Sequence, residues 1–267
     1  MDAENGNQGN MITNLASVIT PVFNAVDFLP ATLRSAQNQT LPDWEHILID
    51  DGSTDGSLEL MEEEAAAEPR LRLLRTQIRG GPAKARNLGL KYARGRYVAF
   101  LDADDLWLPE KLEHCIAWMK STNYSFIYHD YRHLSRDGKK TGALIRGPSQ
   151  LDLQSLHTRR GVGCLAVAID LQQLPDFRFP DEHPSLHEDF LAWLELVRRG
   201  HVGHRLPEDL ARYRPHETGR NRKKFGSAIG IWHTYRNESK LPFGLALNWW
   251  GQYAWHAFWM HLGATPR

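Results

Sequence analysis

"FLDADDLW", residues 100–107, is the stretch from which the rest of the chain is read. A strand-like apolar run, YVAFL, ends at Asp102, and Asp104 and Asp105 follow at once. Carboxylates this close repel one another, and in a partly dry place they stay ionised only beside cations. The stretch is therefore either a turn rich in helix caps or the acidic edge of a ligand site at the end of a buried strand.

Working outward, short apolar runs alternate with helical patterns. LASVIT (15–20), HILID (46–50), LRLLR (71–75), YVAFL (97–101) and FIYHD (126–130) read as strands. A helix is expected over 28–38, with Pro30 in its first turn and Phe28, Leu29, Leu33 and Ala36 on one face. A second follows the turn DGSTDGS with Ser57 as its N-cap. GGPAKARNLGLKYARG enters a third, closed near Gly95, and LPEKLEHCIAWMKS forms a fourth with Pro109 near its start.

This alternation predicts an α/β domain with a mainly parallel sheet and right-handed crossovers. Open sheets of that kind bind ligands beyond the carboxyl ends of their strands. Three strand ends then place Thr20–Asn24, Asp50–Ser53 and Asp102–Asp104 on one edge. A single Asp after a strand is commonly a turn residue or cap, and Asp55 and Asp105 can be read so. Asp50, Asp51, Asp102 and Asp104 together exceed what turns require.

The bulk numbers narrow the classes. A chain of 267 residues fits one large domain, or one with a modest appendage. With 32 basic and 32 acidic residues it has no global field to attract nucleic acid. Cys115 and Cys164 are far apart and lack metal-type spacing, as expected of buried thiols in a reducing compartment. Residues 1–13 are polar, with no secretion-signal pattern, and are expected to be a disordered lead-in to a cytoplasmic protein.

The other end is different. From Leu241 to Pro266 there is no Asp, Glu, Lys or Arg, and aromatics are dense. Its length suits a membrane span, but Pro242, Asn248, Gln252, His256 and His261 argue against one. Asn248, Gln252 and His256 would give a helix a narrow polar stripe beside a broad face with Trp249, Trp250, Trp255 and Trp259. Three readings stay open, in this order: packing on the domain or a homodimer partner, lying in a membrane interface, and spanning.

In chemical terms, Asp102-x-Asp104 can offer two oxygen ligands to Mg²⁺ or Mn²⁺, with a diphosphate as the implied ligand. Asp51 could accept from the N3–H of a uracil ring, and Phe23 could supply a stacking face. Lys84 and Arg86 near a helix start could meet phosphate or ribose, or be a solvated face.

The stretches VITPVFNAVDFLPATLRSAQNQT, ILIDDGSTDGS, GGPAKARNLGL and YVAFLDADDLWLPEKL, in that order, resemble successive motifs of family 2 glycosyltransferases. Where the usual pattern is Pro-x-Tyr-Asn, Phe23 keeps the ring and loses the hydroxyl. The resemblance is close over 15–112 and looser to about residue 220. It implies a Rossmann-like GT-A fold. The catalytic domain would span 14–220, with a nucleotide-binding part (14–112) and an acceptor-side part (113–220). A helical, aromatic-rich extension would occupy 221–267.

The resemblance also implies a UDP-linked sugar donor held by Pro21, Phe23, Asn24, Asp51, Ser53, Lys84, Arg86, Asp102, Ala103 and Asp104. Mn²⁺ or Mg²⁺ would sit on Asp104 with Asp102. HPSLHEDFLAWLELVRRG is similar to the family's Glu-Asp segment, which makes Asp189 the general base and Glu188 its rival. As a helix, EDFLAWLELV is expected to face inward through Phe190, Leu191, Leu194 and Val197, and Glu188 and Asp189 can be read equally as its first-turn acids.

ARYRPHETG resembles the Tyr-Arg-x-His element, so His216 becomes a candidate for metal or diphosphate contact. The implied reaction is inverting transfer to a glycan or lipid-linked acceptor, in surface polysaccharide assembly. Peripheral contact with the inner face of the plasma membrane would run through 241–262. Two rivals are a non-catalytic nucleotide-sugar or glycan binder and a sugar nucleotidyltransferase, though GGPAKAR comes late for the latter's phosphate loop. A phosphatase of the Asp-x-Asp type fits less well, because Leu106 stands where Thr or Val is expected.

Overall fold

The computed structural model describes residues 13–159, 162–180, 188–215, 232, 235–236 and 239–261. The first part alternates strand and helix: β1 (Thr13–Val22), α1 (Leu29–Gln37), β2 (Trp44–Asp50), α2 (Ser57–Ala67), β3 (Leu71–Arg75), α3 (Gly81–Tyr92) and β4 (Gly95–Phe100). The second part runs β5 (Leu106–Trp107), α4 (Lys111–Thr122), β6 (Phe126–Leu134), β7 (Thr141–Ile145), β8 (Gln150–Leu151) and α5 (Leu153–Thr158). It continues through β9 (Val167–Asp170), α6 (Glu188–Arg198), β10 (Gly203–Tyr213) and α7 (Phe243–His261).

One sheet joins both parts in the order β3-β2-β1-β4-β9-β6-β10-β5, with β7 on β6 and β8 on β10. The β3-β2-β1-β4 block is parallel throughout. β9 runs antiparallel between β4 and β6, and the β6–β10 pair is parallel again. All residues of β2 are buried, as a strand covered on both faces should be. Successive side chains on β1 serve opposite layers: Ile19 joins Ile49, Val98 and Phe100, whereas Val18 joins Tyr97, Trp107 and Ile116. Gly89 lets α3 lie close on the sheet, because a Cβ there would meet Ile19 Cγ2 at 2.7 Å and Ile49 Cδ1 at 3.0 Å.

Several local expectations need correction. Ser57 is the first residue of α2 rather than its cap. Asp55 takes the capping role, accepting from the Ser57 amide at 3.0 Å, the Ser57 hydroxyl at 2.6 Å and the Val26 amide at 3.0 Å. Gly95 opens β4 and does not close α3, which ends at Tyr92 as Ala93 turns to extended backbone and the Arg94 amide binds Glu45.

The buried side of α6 is also different from the expected one. Ala192, Trp193, Leu194, Leu196 and Val197 are buried, while Phe190 and Leu191 are only half-buried. Trp193 decides this, stacking on Phe126 at 5.1 Å and on Phe177 at 6.1 Å between ring centroids. These contacts fix where the first turn of α6 points.

The C-terminal helix α7 packs on the domain through Ala246, Trp249 and Tyr253. Its nearest support is α5, where Leu153 backs the cluster and the His157 ring lies 5.3 Å from Trp249. Among the described residues, no helix is long and apolar enough to cross a membrane.

Candidate active site

The strand order reverses between β1 and β4, since β2 and β3 extend from β1 on one side and β4 lies on the other. Crevices form at such switch points, beyond the carboxyl ends of the strands. A cleft of about 710 Å³ opens there. Pro21, Phe23, Asn24, Asp51, Lys84, Arg86, Asp102, Ala103 and Asp104 line it, so the structure brings together nearly all the residues singled out from the sequence. Ser53 stands behind that lining, where its hydroxyl accepts from the Asn24 amide at 3.2 Å.

The loops after β1 and β2 hold each other. Asn24 has a left-handed φ of 50°, which Asn tolerates better than most residues, and its Oδ1 accepts from the Thr54 amide at 2.8 Å. Asp50 is a turn residue whose carboxylate accepts from the amides of Gly52 and Ser53. Asp51 reaches across to the loop before α3. Its Oδ1 accepts from Thr76 Oγ1 at 2.8 Å and the Gly80 amide at 2.9 Å, and its Oδ2 from the Gly81 amide at 2.7 Å. Most of its acceptor capacity is therefore spent on the chain itself.

That clamp has a consequence for Arg79, which the sequence reading passed over. Its guanidinium carbon lies 3.7 Å from the centroid of the Phe23 ring, a cation–π contact on the cleft wall. A basic residue just before the glycine pair in QIRGGP was the available signal.

The acidic edge answers the puzzle of three neighbouring carboxylates by giving them different surroundings. Arg86 on α3 is 3% exposed and sits between two acids. Its Nη2 donates to Asp102 Oδ1 at 2.5 Å, and its Nη1 to Glu188 Oε1 at 3.0 Å. Burial by itself would lower the Arg86 pKa, but Cys164, Asp102 and Glu188 together hold it well above the ordinary value. Since burial also pushes the Cys164 thiol far up, the two carboxylates are what matter near neutrality. Arg86 thus lines the cleft as a fixed cation already paired with two of the protein's own carboxylates.

Asp105 is fully buried, and its Oδ1 accepts from the Arg214 amide at 2.7 Å. Burial first, then Asp104 and Asp102, push its pKa well above the usual carboxylate range, which favours the neutral acid. Arg214 also donates from Nη1 to the main-chain oxygen of Asp104 at 2.5 Å, and Thr32 donates to the carbonyls of Ala103 and Asp105. The Asp-Ala-Asp loop is thus gripped from α1 and from the end of β10. Asp104 and Tyr213 face the cleft, and burial and the nearby carboxylates push the Tyr213 phenol up to about 12.

Glu188 lines the same cleft from the start of α6. Asp189 beside it accepts from the Phe190 amide at 2.7 Å and lies close enough to raise the pKa of Tyr131 and Tyr213. His216 lies outside the described residues. Among the described residues, no group of three or more His, Cys, Asp or Glu converges as a metal cage. The donor set at Asp102 and Asp104 is two carboxylates, one of them bonded to Arg86. That set suits a hard divalent cation which completes its shell with ligand oxygens and water.

A parallel block with a crevice at its switch point, an acidic strand end and a basic helix start define an α/β fold with its candidate site at the strand ends. Comparison with known proteins makes the class specific. The chain belongs to glycosyl transferase family 2, whose description matches residues 17–164, and its fold is GT-A. TuaG of Bacillus subtilis (strain 168), whose name assigns it to teichuronic acid biosynthesis, is 34% identical over 243 residues, 91% of this chain and 96% of the relative. WfgD of Escherichia coli, named as a UDP-Glc:alpha-D-GlcNAc-diphosphoundecaprenol beta-1,3-glucosyltransferase, is 35% identical over 189 residues, covering 70% and 72%. The crystal structure of Staphylococcus aureus TarS 1-349 in complex with UDP superposes with a TM-score of 0.64 at 21% identity, covering 90% of this chain and 70% of that one.

Proposed function

We propose that this glycosyltransferase works by inversion, moving a sugar from a UDP-linked donor to a hydroxyl of a glycan or lipid-linked acceptor in surface polysaccharide assembly. The observation that carries the reading is the Asp102–Arg86–Glu188 bridge, which ties the first turn of α6 to the acidic edge of the donor cleft. The names of TuaG, a glycosyltransferase of teichuronic acid biosynthesis, and of WfgD, a UDP-Glc transferase acting on a diphosphoundecaprenol, support the donor and acceptor classes.

Inverting transfer needs a proton acceptor on the incoming hydroxyl and relief of charge on the departing diphosphate. Asp189 is the base. Glu188, its rival, already accepts from Arg86, and a carboxylate bonded to a permanent cation is a poor proton acceptor. The acceptor oxygen bonds to the anomeric carbon as its proton passes to Asp189. The bond from that carbon to the diphosphate oxygen breaks, and its electron pair leaves with UDP.

Asp104, with Asp102, would hold Mn²⁺ or Mg²⁺, which when bound neutralises the diphosphate. Phe23 with Arg79 offers a surface for the base, and Lys84 a charge for phosphate or ribose. His216 is kept as a further anion contact.

Asp189→Asn tests the reading. Transfer should fall by roughly 10²–10⁴-fold, the usual worth of a general base, while calorimetric UDP affinity stays at the wild-type value. Asp104→Ala should instead remove the Mn²⁺-dependent part of UDP binding. Transfer undiminished in Asp189→Asn would pass the base role to Glu188, and UDP binding indifferent to Asp104 would end the metal assignment.

A further inference from the structure

Helix α7 has two apolar sides, one buried on the domain and the other largely exposed. Ala246, Trp249 and Tyr253 are buried against the domain. Phe243 and Leu247, one turn apart on the outward side, are 60% and 50% exposed, and Trp255 further along is 56% exposed. Asn248 and Gln252 form a narrow polar stripe between the two sides, Gln252 Nε2 donating to Asn248 Oδ1 at 3.4 Å. A surface helix of a water-soluble domain normally turns its polar side outward.

The two described charges at the N-terminal end of this helix, Arg236 and Lys240, are both basic and both exposed. The Arg236 guanidinium lies 5.9 Å from the Phe243 ring centroid. Residues 218–240 carry six bases against one acid, Glu238, and no acid follows through Pro266.

That charge pattern discriminates between occupants. A second copy related by a two-fold axis perpendicular to the helix runs antiparallel, and so sets Arg236 and Lys240 against a C-terminal end with no acidic side chain. A parallel arrangement sets cations against cations. Neither supplies a counter-charge. Anionic lipid headgroups do, and aromatic side chains beside a basic rim are what a helix lying in that interface requires.

We propose that the outward side of α7, with Arg236 and Lys240 at its edge, seats the protein on the surface of an anionic lipid bilayer. The helix lies along the interface and does not cross it. The α7–α5–α6 packing then connects the seated helix to the element that begins at Glu188. This inference does not depend on the donor or base assignments.

The test is co-sedimentation of the full chain with vesicles of phosphatidylglycerol mixed with phosphatidylcholine, beside phosphatidylcholine alone. The wild type should pellet with the anionic vesicles and do so less as salt rises. Phe243→Ser with Leu247→Ser should weaken binding by about tenfold or more. Arg236→Gln with Lys240→Gln should weaken it by roughly tenfold and flatten the salt dependence.

Both pairs are exposed, so UDP affinity measured on the same preparations should be unchanged, which keeps this result separate from the fate of the catalytic reading. A wild type that does not pellet, or variants that pellet like it, would overturn the proposal. So would light scattering that finds a dimer which the Phe243/Leu247 variant converts to monomers, because the face would then belong to a second copy.

Discussion

The sheet half from β1 to β4 and the half from β5 to β10 are built by different rules. In the first, three cleft-lining positions follow a strand by one or two residues: Asn24 after β1, Asp51 after β2, Asp102 after β4. In the second, the important groups meet partners far along the chain. Glu188 pairs with Arg86 across 102 residues, and the Arg214 amide reaches Asp105 across 109. Asn87 holds Phe179 across 92. The acidic edge is therefore set mainly by local chain, whereas the opposite wall of the cleft, joined to it by the shared sheet and core, is also held by a few long-range polar pairs.

Arg86 carries the largest part of that seam. Replacing it with Gln leaves Asp102 and Glu188 facing the same cleft with no cation between them. Removing one partner of a buried pair costs about 3–5 kcal/mol, and the partial exposure of Asp102 puts this case toward the lower end. Glu188→Gln should cost clearly less, because Arg86 keeps Asp102. Urea unfolding of the two variants decides it. Equal midpoints for Arg86→Gln and wild type would show that the halves are joined elsewhere.

This contrast also explains how much was legible from sequence. Five of the ten strands, the order of the first three helices and the convergence of Asp51, Asp102 and Asp104 follow from apolar periodicity and from where ligands sit in open sheets. The partners of those acids do not. Nothing local in GGPAKARN tells Lys84, which lines the cleft, from Arg86, which is buried between carboxylates. The acid pair of α6 could be read as a base or as first-turn acids, and nothing local shows that Arg86 holds Glu188. Leu194 and Val197 of α6 face inward as expected, but Trp193 is missed because it fills a gap between Phe126 and Phe177 that no helical wheel contains.

His157 joins α7 to α5 and offers a pH-dependent way to sharpen the comparison. In the folded chain Ser239 lies 2.6 Å from its Nε2 and the Leu153 carbonyl 2.6 Å from its Nδ1. Only the neutral ring can donate to the carbonyl and accept from the hydroxyl. Burial pulls its pKa from 6.5 to about 4, with Arg198 adding to the fall. Between those values the unfolded chain binds a proton that the folded chain refuses. Stability from this group is thus complete above pH 6.5 and is lost as pH falls to about 4, a total of roughly 3 kcal/mol.

His46 and His129, pulled by burial to about 3, steepen the wild-type curve as well. The informative quantity is the gap in unfolding midpoint between wild type and His157→Gln. It should narrow steadily from pH 6.5 to 4. A gap of constant size would mean that His157 titrates alike in both states.

Asn87 gives the smallest and most local effect. It sits on α3 next to Arg86, yet its side chain serves the other half: Nδ2 donates to the Phe179 carbonyl at 2.7 Å and Oδ1 accepts from the Phe179 amide at 2.8 Å. Phe179 in turn packs edge-on against Phe100 at 5.0 Å, under the acidic edge. Asn87→Ala removes both bonds and should cost about 1–2 kcal/mol, since water can reach a half-buried site and replace part of them. Hydrogen exchange should quicken at the Phe179 amide while UDP affinity stays unchanged, because every described donor-edge residue keeps its own partners. A tenfold loss of UDP affinity would show that the seam holds the donor edge in shape too, and the two halves could no longer be treated as separately built.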